Sequence, residues 1–318
     1  MEENKAATPL VSVMIPTYCR PGLFKEALDS VLGQTYPNIE ILVSDDSLDD
    51  ATERMMQGYL EKHENIHYVR NPGLTWRENF RWLFSNCNLK SKYLGWLIDD
   101  DFYMPEKIER MVALMERFDN VSLTTTGKQV IDIKGNNLGS VRPLGDEAKV
   151  FPGEWAGRQL FFSDNYIGEP SCVLMRSSCV DRCLGWAGDE GDVLIGDVEL
   201  WLQLLTKGDL GYIPDLLTAF RRHKDQGSAD EDNSLSISIG YMLQLQYAWN
   251  RKIFLKTKED AERACLIWLR TAADRMQAVH PHASRLRNYN LLLDLMRHTT
   301  NALSKQFRLD FDVKALYN

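Results

Sequence analysis

Between residues 11 and 117 four short apolar runs alternate with helical patterns, and that rhythm leaves few folds open. The runs are VSVMI (11–15), IEILVS (39–44), IHYVR (66–70) and KYLGWLI (92–98). VSVMI lacks the in–out alternation of a one-sided strand and reads as a strand buried on both faces. Between the runs, Leu23, Ala27, Ser30 and Val31 recur at helical spacing, and TWRENFRWLFSN is amphipathic. Asp49 is placed as the N-cap of a helix over 50–62, and Pro105 at the first position of the helix in PEKIERMVALMERF. Strands alternating with helices predict a parallel α/β sheet with right-handed crossovers.

After residue 120 the rhythm changes. VSLTTTGKQVIDI and NLGSVRPL flank a KGN turn, so the sheet is expected to gain antiparallel strands. Residues 155–225 read as short helices and turns, and KDQGSADEDNS (224–234) as a loop. From about 235 the chain reads as wholly helical. One apolar stripe runs through Ala261, Cys265, Trp268, Ala272, Met276 and Val279; another through Tyr289, Leu292, Leu293 and Met296. The expected division is a flexible N-terminus (1–9), one α/β domain (10–225) and a helical extension (226–318) that contacts an acceptor or forms a homodimer.

The 318 residues carry 37 Lys and Arg against 45 Asp and Glu, which argues against a nucleic-acid partner. No apolar leader opens the chain and no run of 18 apolar residues occurs. The expectation is a cytoplasmic protein, with peripheral docking at the inner membrane face as an alternative. Cys19, Cys87, Cys172, Cys179, Cys183 and Cys265 form no CxxC pair, so free thiols are expected and zinc is not.

In an open α/β sheet, ligands sit beyond the carboxyl ends of the strands. Those ends supply Pro16, Thr17, Tyr18 and Arg20, then Asp45 and Asp46, then Asp99, Asp100 and Asp101. Each neighbouring pair of carboxylates repels by about 4 kcal/mol at 4 Å in a medium of effective dielectric 20. A divalent cation, Mg2+ or Mn2+, would offset that repulsion, since hard oxygen ligands suit both. Either acidic cluster alone could be a helix cap or a solvated loop; two at neighbouring strand ends favour function. GxGxxG and P-loop patterns are absent, so phosphates are not expected on glycine-cradled amides.

VSVMIPTYCRPGLFKEALDSVLGQTYPNIEILVSDDS resembles the opening of the family 2 glycosyltransferases. LIDDDFYMPEKIERMV resembles their DxD region, that of the spore-coat polysaccharide glycosyltransferase type in particular. The resemblance covers about residues 10–225. It implies a GT-A fold and an inverting transfer of sugar from a nucleotide-sugar, a UDP-sugar by expectation. It implies that Pro16, Thr17 and Tyr18 line a uracil pocket, that Arg20 contacts the nucleotide, and that Asp46, with Asp45 beside it, bonds the base. Asp99 matches a ribose or metal contact and Asp100 the metal ligand, with Asp101 and His223 as further metal-side groups. Members often carry Asp where Ile98 stands, so the division of work among the three aspartates stays open. Arg77 falls where a nucleotide contact is common, and equally where a solvated helix-start arginine would lie.

IGDVELWLQLLTKGDLGYIPDLLTAFRRH resembles the family's ED motif and its Arg–x–His ending. Asp197 then matches the catalytic base, although Gly196 replaces the usual Glu. Arg221 and Arg222 are candidates to clamp phosphate. Glu169, Trp186 and Glu199 are assigned to the acceptor side, while Trp201, at helical spacing from Leu205, is expected to pack. The acceptor class is open among polysaccharide, lipid-linked sugar and protein. Two alternatives stand beside transfer: a sugar-1-phosphate nucleotidyltransferase, whose glycine-rich basic loop is missing here, and a non-catalytic nucleotide-sugar-binding module.

Overall fold

The computed structural model describes residues 8–88, 90–180, 196–224, 226, 231–280 and 288–304. Its sheet begins as expected: β1 (Val11–Thr17), β2 (Ile39–Asp45), β3 (Ile66–Arg70) and β4 (Tyr93–Trp96) run parallel in the order β3-β2-β1-β4. Every residue of β1 is buried, which is why its sequence shows no alternation. Helices α1 (Pro21–Leu32), α2 (Ala51–Leu60) and α3 (Trp76–Asn86) connect these strands. In α1 the buried face is Phe24, Ala27, Leu28 and Val31, one residue round from the predicted stripe, because the larger Phe24 and Leu28 take the core. The N-cap of α2 is Asp50; Asp49 instead accepts the Ala51 N–H (3.0 Å).

The other half of the sheet is mixed. β9 (Val173–Arg176) pairs antiparallel with β4 and with β6 (Val121–Ile131), and β10 (Asp209–Arg221) lies parallel to β6. β5 (Phe102–Tyr103) and β8 (Lys149–Phe151) pair antiparallel with β10, and β7 (Asn137–Val141) closes the predicted hairpin with β6. Because residues 102–103 form β5, helix α4 (Lys107–Arg117) starts two residues beyond Pro105 rather than on it.

The sequence missed β10, and the reason is local. Its register with β6 shifts between Ile213 and Leu216 and again before Thr218, around Pro214, and such bulges break the period of two. The bulge closes on Gly127, where a Cβ would meet the Pro214 carbonyl oxygen at 2.6 Å.

The chain divides into two compact units. The first comprises Met1–Pro152, Ile167–Leu184 and Lys207–Arg222, and it holds the whole sheet with α1–α4. The second comprises Gly153–Tyr166, Gly185–Thr206 and His223–Asn318, so it draws two segments from within the predicted 10–225 span. It contains α5 (Gly153–Gln159), α6 (Gly196–Leu205), α7 (Glu231–Arg251), α8 (Lys258–Val279) and α9 (Tyr289–Ser304). All six residues of the predicted α8 stripe are buried. In α9 the buried face is Leu291, Leu292 and Leu295 instead, since the leucine run there offers more than one apolar face. Helix α7 also takes up the last residues of the predicted 224–234 loop. Among the described residues no helix is long and apolar enough to cross a membrane.

Candidate active site

The first unit carries a cleft of about 490 Å³ at the carboxyl ends of β1, β2 and β4, within the usual range for a ligand site. Pro16, Thr17, Tyr18, Arg20, Asp46 and Asp99 line it, as the sequence predicts for a nucleotide pocket. Two hydrogen bonds tie the β1 and β2 ends together: the Asp46 N–H donates to the Thr17 carbonyl (3.1 Å), and the Cys19 N–H donates to the Ser47 side-chain Oγ (2.7 Å). Cys19 takes a positive φ of 51°, turning the chain out of β1 toward α1.

The aspartate triplet separates into three environments. Asp99 Oδ2 accepts from Thr17 Oγ1 (3.1 Å) and from the Tyr18 N–H (3.2 Å). Arg20 Nη1 lies 3.6 Å from Asp99 Oδ1 and 3.1 Å from Asp100 Oδ2, so one guanidinium bridges both carboxylates. Burial, reinforced by the Asp100 charge, still pushes the Asp99 carboxyl up to about 7. Asp101 is engaged elsewhere: its Oδ1 accepts the Arg221 N–H (2.9 Å) and its carboxyl bonds Ser171. Burial, then the Asp100 charge, raises it well above the ordinary carboxylate range. Nearby Lys107 is buried, donates to the Cys172 carbonyl (3.0 Å) and Thr218 Oγ1 (3.1 Å), and is pushed down to about 8 by that burial.

Arg221 is not placed as a phosphate clamp. It is 2% exposed, and its guanidinium donates to the Asp100 carbonyl (2.8 Å), the Ile133 carbonyl (3.0 Å) and Glu26 Oε2 (2.6 Å). It therefore ties the aspartate loop to the β6–β7 turn and to α1. Arg222 is exposed.

Asp45 and Asp46 also part company, since Asp45 is the last residue of β2 and Asp46 the first beyond it. Asp45 is fully buried; its carboxylate accepts from the Ser47 N–H (2.9 Å) and the Tyr68 hydroxyl (2.5 Å), and it shapes the turn rather than lining the cleft. Asp46 does line the cleft, and burial raises its carboxyl above the ordinary value. Asn79 Nδ2 donates to Asp46 Oδ1 (2.7 Å) and to the Ser44 carbonyl (3.2 Å), while Asn79 Oδ1, buried beside the cleft, has no partner.

The sequence did not single out Asn79, nor Trp76 and Phe80, which also line the cleft. A signal was present. Thr75 and Glu78 form a reciprocal capping box, which fixes where α3 begins after β3 and puts residues 76, 79 and 80 on one face. Arg77 is not among the cleft-lining residues; its guanidinium sits 5.3 Å from the Trp76 ring centroid.

A family model described as "Glycosyl transferase family 2" matches residues 12–176, the stretch that contributes β1, β2, α3 and the aspartate triplet. The chain belongs to that family. This family 2 glycosyltransferase is 38% identical over 257 residues to an uncharacterized glycosyltransferase of Rickettsia prowazekii (strain Madrid E), covering 80% of this chain and 74% of that one. A relative from Rickettsia conorii (strain ATCC VR-613 / Malish 7), also 38% identical, is longer, and the chain covers 36% of its length. Among solved structures it is similar to S. aureus TarS 1-349 in complex with UDP-GlcNAc, with a TM-score of 0.57 and 13% identity over 94% of this chain and 89% of that one. At that identity the likeness shows the GT-A fold.

The remaining family-motif residues of this glycosyltransferase lie as follows. Glu169, in the first unit, pairs with Lys128 just before a 3-10 turn at Pro170–Cys172. Asp197 stands in the first turn of α6 in the second unit. Its Oδ2 accepts from Asn165 Nδ2 (3.2 Å) and its Oδ1 from the Val198 N–H (2.8 Å). Its charge adds to the effect of burial in raising the Tyr241 hydroxyl above its ordinary range. Glu199 follows two residues later on α6, where it cannot share a face with Asp197. His223 belongs to the second unit, and its N–H donates to Gln226 Oε1 (3.3 Å). Trp186 lies outside the described residues. Trp201 is buried, as its spacing predicts.

Among the described residues no three His, Cys, Asp or Glu side chains assemble into a ready-made metal site. Asp99 and Asp100 supply two carboxylates, which together with substrate phosphates and water is the donor set magnesium uses at nucleotide sites. Arg20 already places one positive charge between them. By the chemistry of their donor set, the two carboxylates could hold a divalent cation that arrives with a diphosphate. Asp101 would have to leave Arg221 and Ser171 to join them.

Proposed function

We propose that this chain transfers a sugar from a UDP-sugar to an acceptor hydroxyl with inversion at the anomeric carbon. The observation that carries the reading is the cleft itself, which joins Asp46, oriented by Asn79, to Arg20 and Asp99; Asp100 does not line it and is tied to it through the Arg20 guanidinium. Asp46 offers an acceptor for the N–H of a uracil edge. Asp99 offers a carboxylate for ribose and Arg20 a guanidinium for phosphate. Thr17 and the Tyr18 N–H hold Asp99 in place for that work. The bound UDP-GlcNAc of the TarS structure supports a uridine donor.

In this reading Asp197 takes the proton of the acceptor hydroxyl while its oxygen attacks the anomeric carbon and the bond to UDP breaks. Asn165 and the Val198 N–H keep the Asp197 carboxylate oriented. Asp100 and Asp99 would hold a Mn2+ or Mg2+ ion, which would supply charge neutralisation at the diphosphate. Helices α7–α9 are assigned to the acceptor, whether carbohydrate, lipid-linked sugar or protein.

Incubating the protein with Mn2+ and a panel of UDP-sugars tests the proposal. Slow release of UDP that disappears in Asp100→Ala supports it. Pyrophosphate release from UTP and a sugar 1-phosphate would replace it with nucleotidyl transfer. UDP binding without turnover on any sugar or acceptor would make the chain a binding module.

A further inference from the structure

We infer that Trp76 is a stacking wall for the base of the bound nucleotide, a role that rests on the donor reading above. Three large apolar side chains stand exposed around one cleft: Tyr18 (47% exposed), Leu48 (70%) and Trp76 (45%). Leaving such surface in water is unfavourable, and a ligand with apolar faces would cover it. The same cleft presents Asp46 as a buried acceptor. A ligand that satisfies both must be flat, apolar on its faces and a hydrogen-bond donor at its edge. A nucleobase has that chemistry.

The ring is held for the purpose. Trp76 is the first residue of α3, fixed by the capping box behind it. Its edge meets Phe80 (centroids 5.7 Å apart, 86° between planes), and Phe80 stacks on the buried Trp96 (4.1 Å, 26°). The Arg77 guanidinium sits over the Trp76 ring, an arrangement that restrains the indole. Arg77 is thus a positioning residue that acts on the nucleotide through Trp76. Asn79, three residues along the same helix face, orients Asp46, so α3 governs both the edge and the face of the base.

The test is calorimetric titration of the full chain and its Trp76→Ala and Trp76→Phe variants with UDP, with uridine, and with pyrophosphate in Mn2+. Stacking predicts that Trp76→Ala weakens UDP and uridine by one common factor of about ten or more. Trp76→Phe should restore most of that affinity, and pyrophosphate binding should be the same in all three proteins. Wild-type affinity for UDP in Trp76→Ala would overturn the inference. So would a loss of pyrophosphate binding as large as the loss of uridine, because that reports general damage to the cleft. A wild-type chain that takes no UDP at all would overturn the donor reading, and the stacking wall with it.

Discussion

Asp197→Asn is expected to cut the transfer rate by about 10²–10⁴-fold, the usual contribution of a positioned general base. That loss corresponds to roughly 3–5 kcal/mol of transition-state stabilisation. The substitution keeps the shape of the side chain, and an amide oxygen can still accept from the Val198 N–H that now reaches Asp197 Oδ1 (2.8 Å). What it removes is the ability to take a proton. UDP affinity should therefore stay at its wild-type value, because the residues assigned to the nucleotide are others. Initial rates with a working acceptor, set beside UDP titrations of both proteins, separate the two effects. A parallel fall in UDP affinity would mean that Asp197 helps to hold the donor and would remove it as the base.

The second large effect is on stability. Arg221→Met should destabilise the fold by about 1–3 kcal/mol, the cost of leaving a buried polar group without its partner. Methionine can fill the space but donates nothing. It would leave the buried Asp100 carbonyl without its Arg221 donor, while the Ile133 carbonyl, on an exposed residue, can turn to water. Glu26 would also lose its guanidinium partner. Urea unfolding of the two proteins measures the difference. A change under about 0.5 kcal/mol, ordinary for a surface substitution, would show that Arg221 does not secure the aspartate loop.

The parallel half of the fold was legible because strands buried on both faces leave unbroken apolar runs, as in β1, and because α8 carries one clean stripe. What sequence could not show was geometry decided by packing. The strand β10 was hidden by its bulge at Pro214, and the buried face of α9 was chosen among several apolar ones. The site followed the same division. Strand ends pointed to Thr17, Asp46 and Asp99, and the structure brings them to one cleft. The sequence could not say which member of each acidic cluster faces it, since Asp45 and Asp101 turn to Tyr68 and Arg221. An arginine that binds phosphate and one that binds backbone carbonyls also look alike in a sequence, and Arg221 proves to be the second. Asn79 and Trp76 looked like ordinary members of an amphipathic helix until the cleft gave that face something to do.

The central claim is that this cleft reads a uridine nucleotide, and a calorimetric titration of UDP into the wild-type chain and Asp46→Asn tests it most directly. Asparagine replaces one carboxylate oxygen with a donor and removes the charge, so the base must share the remaining, weaker acceptor with Asn79. The account predicts that the wild type takes up UDP and that the variant binds it about tenfold more weakly, the scale of one buried hydrogen bond. Equal affinity in the two proteins, or no uptake of UDP by the wild type, would contradict it.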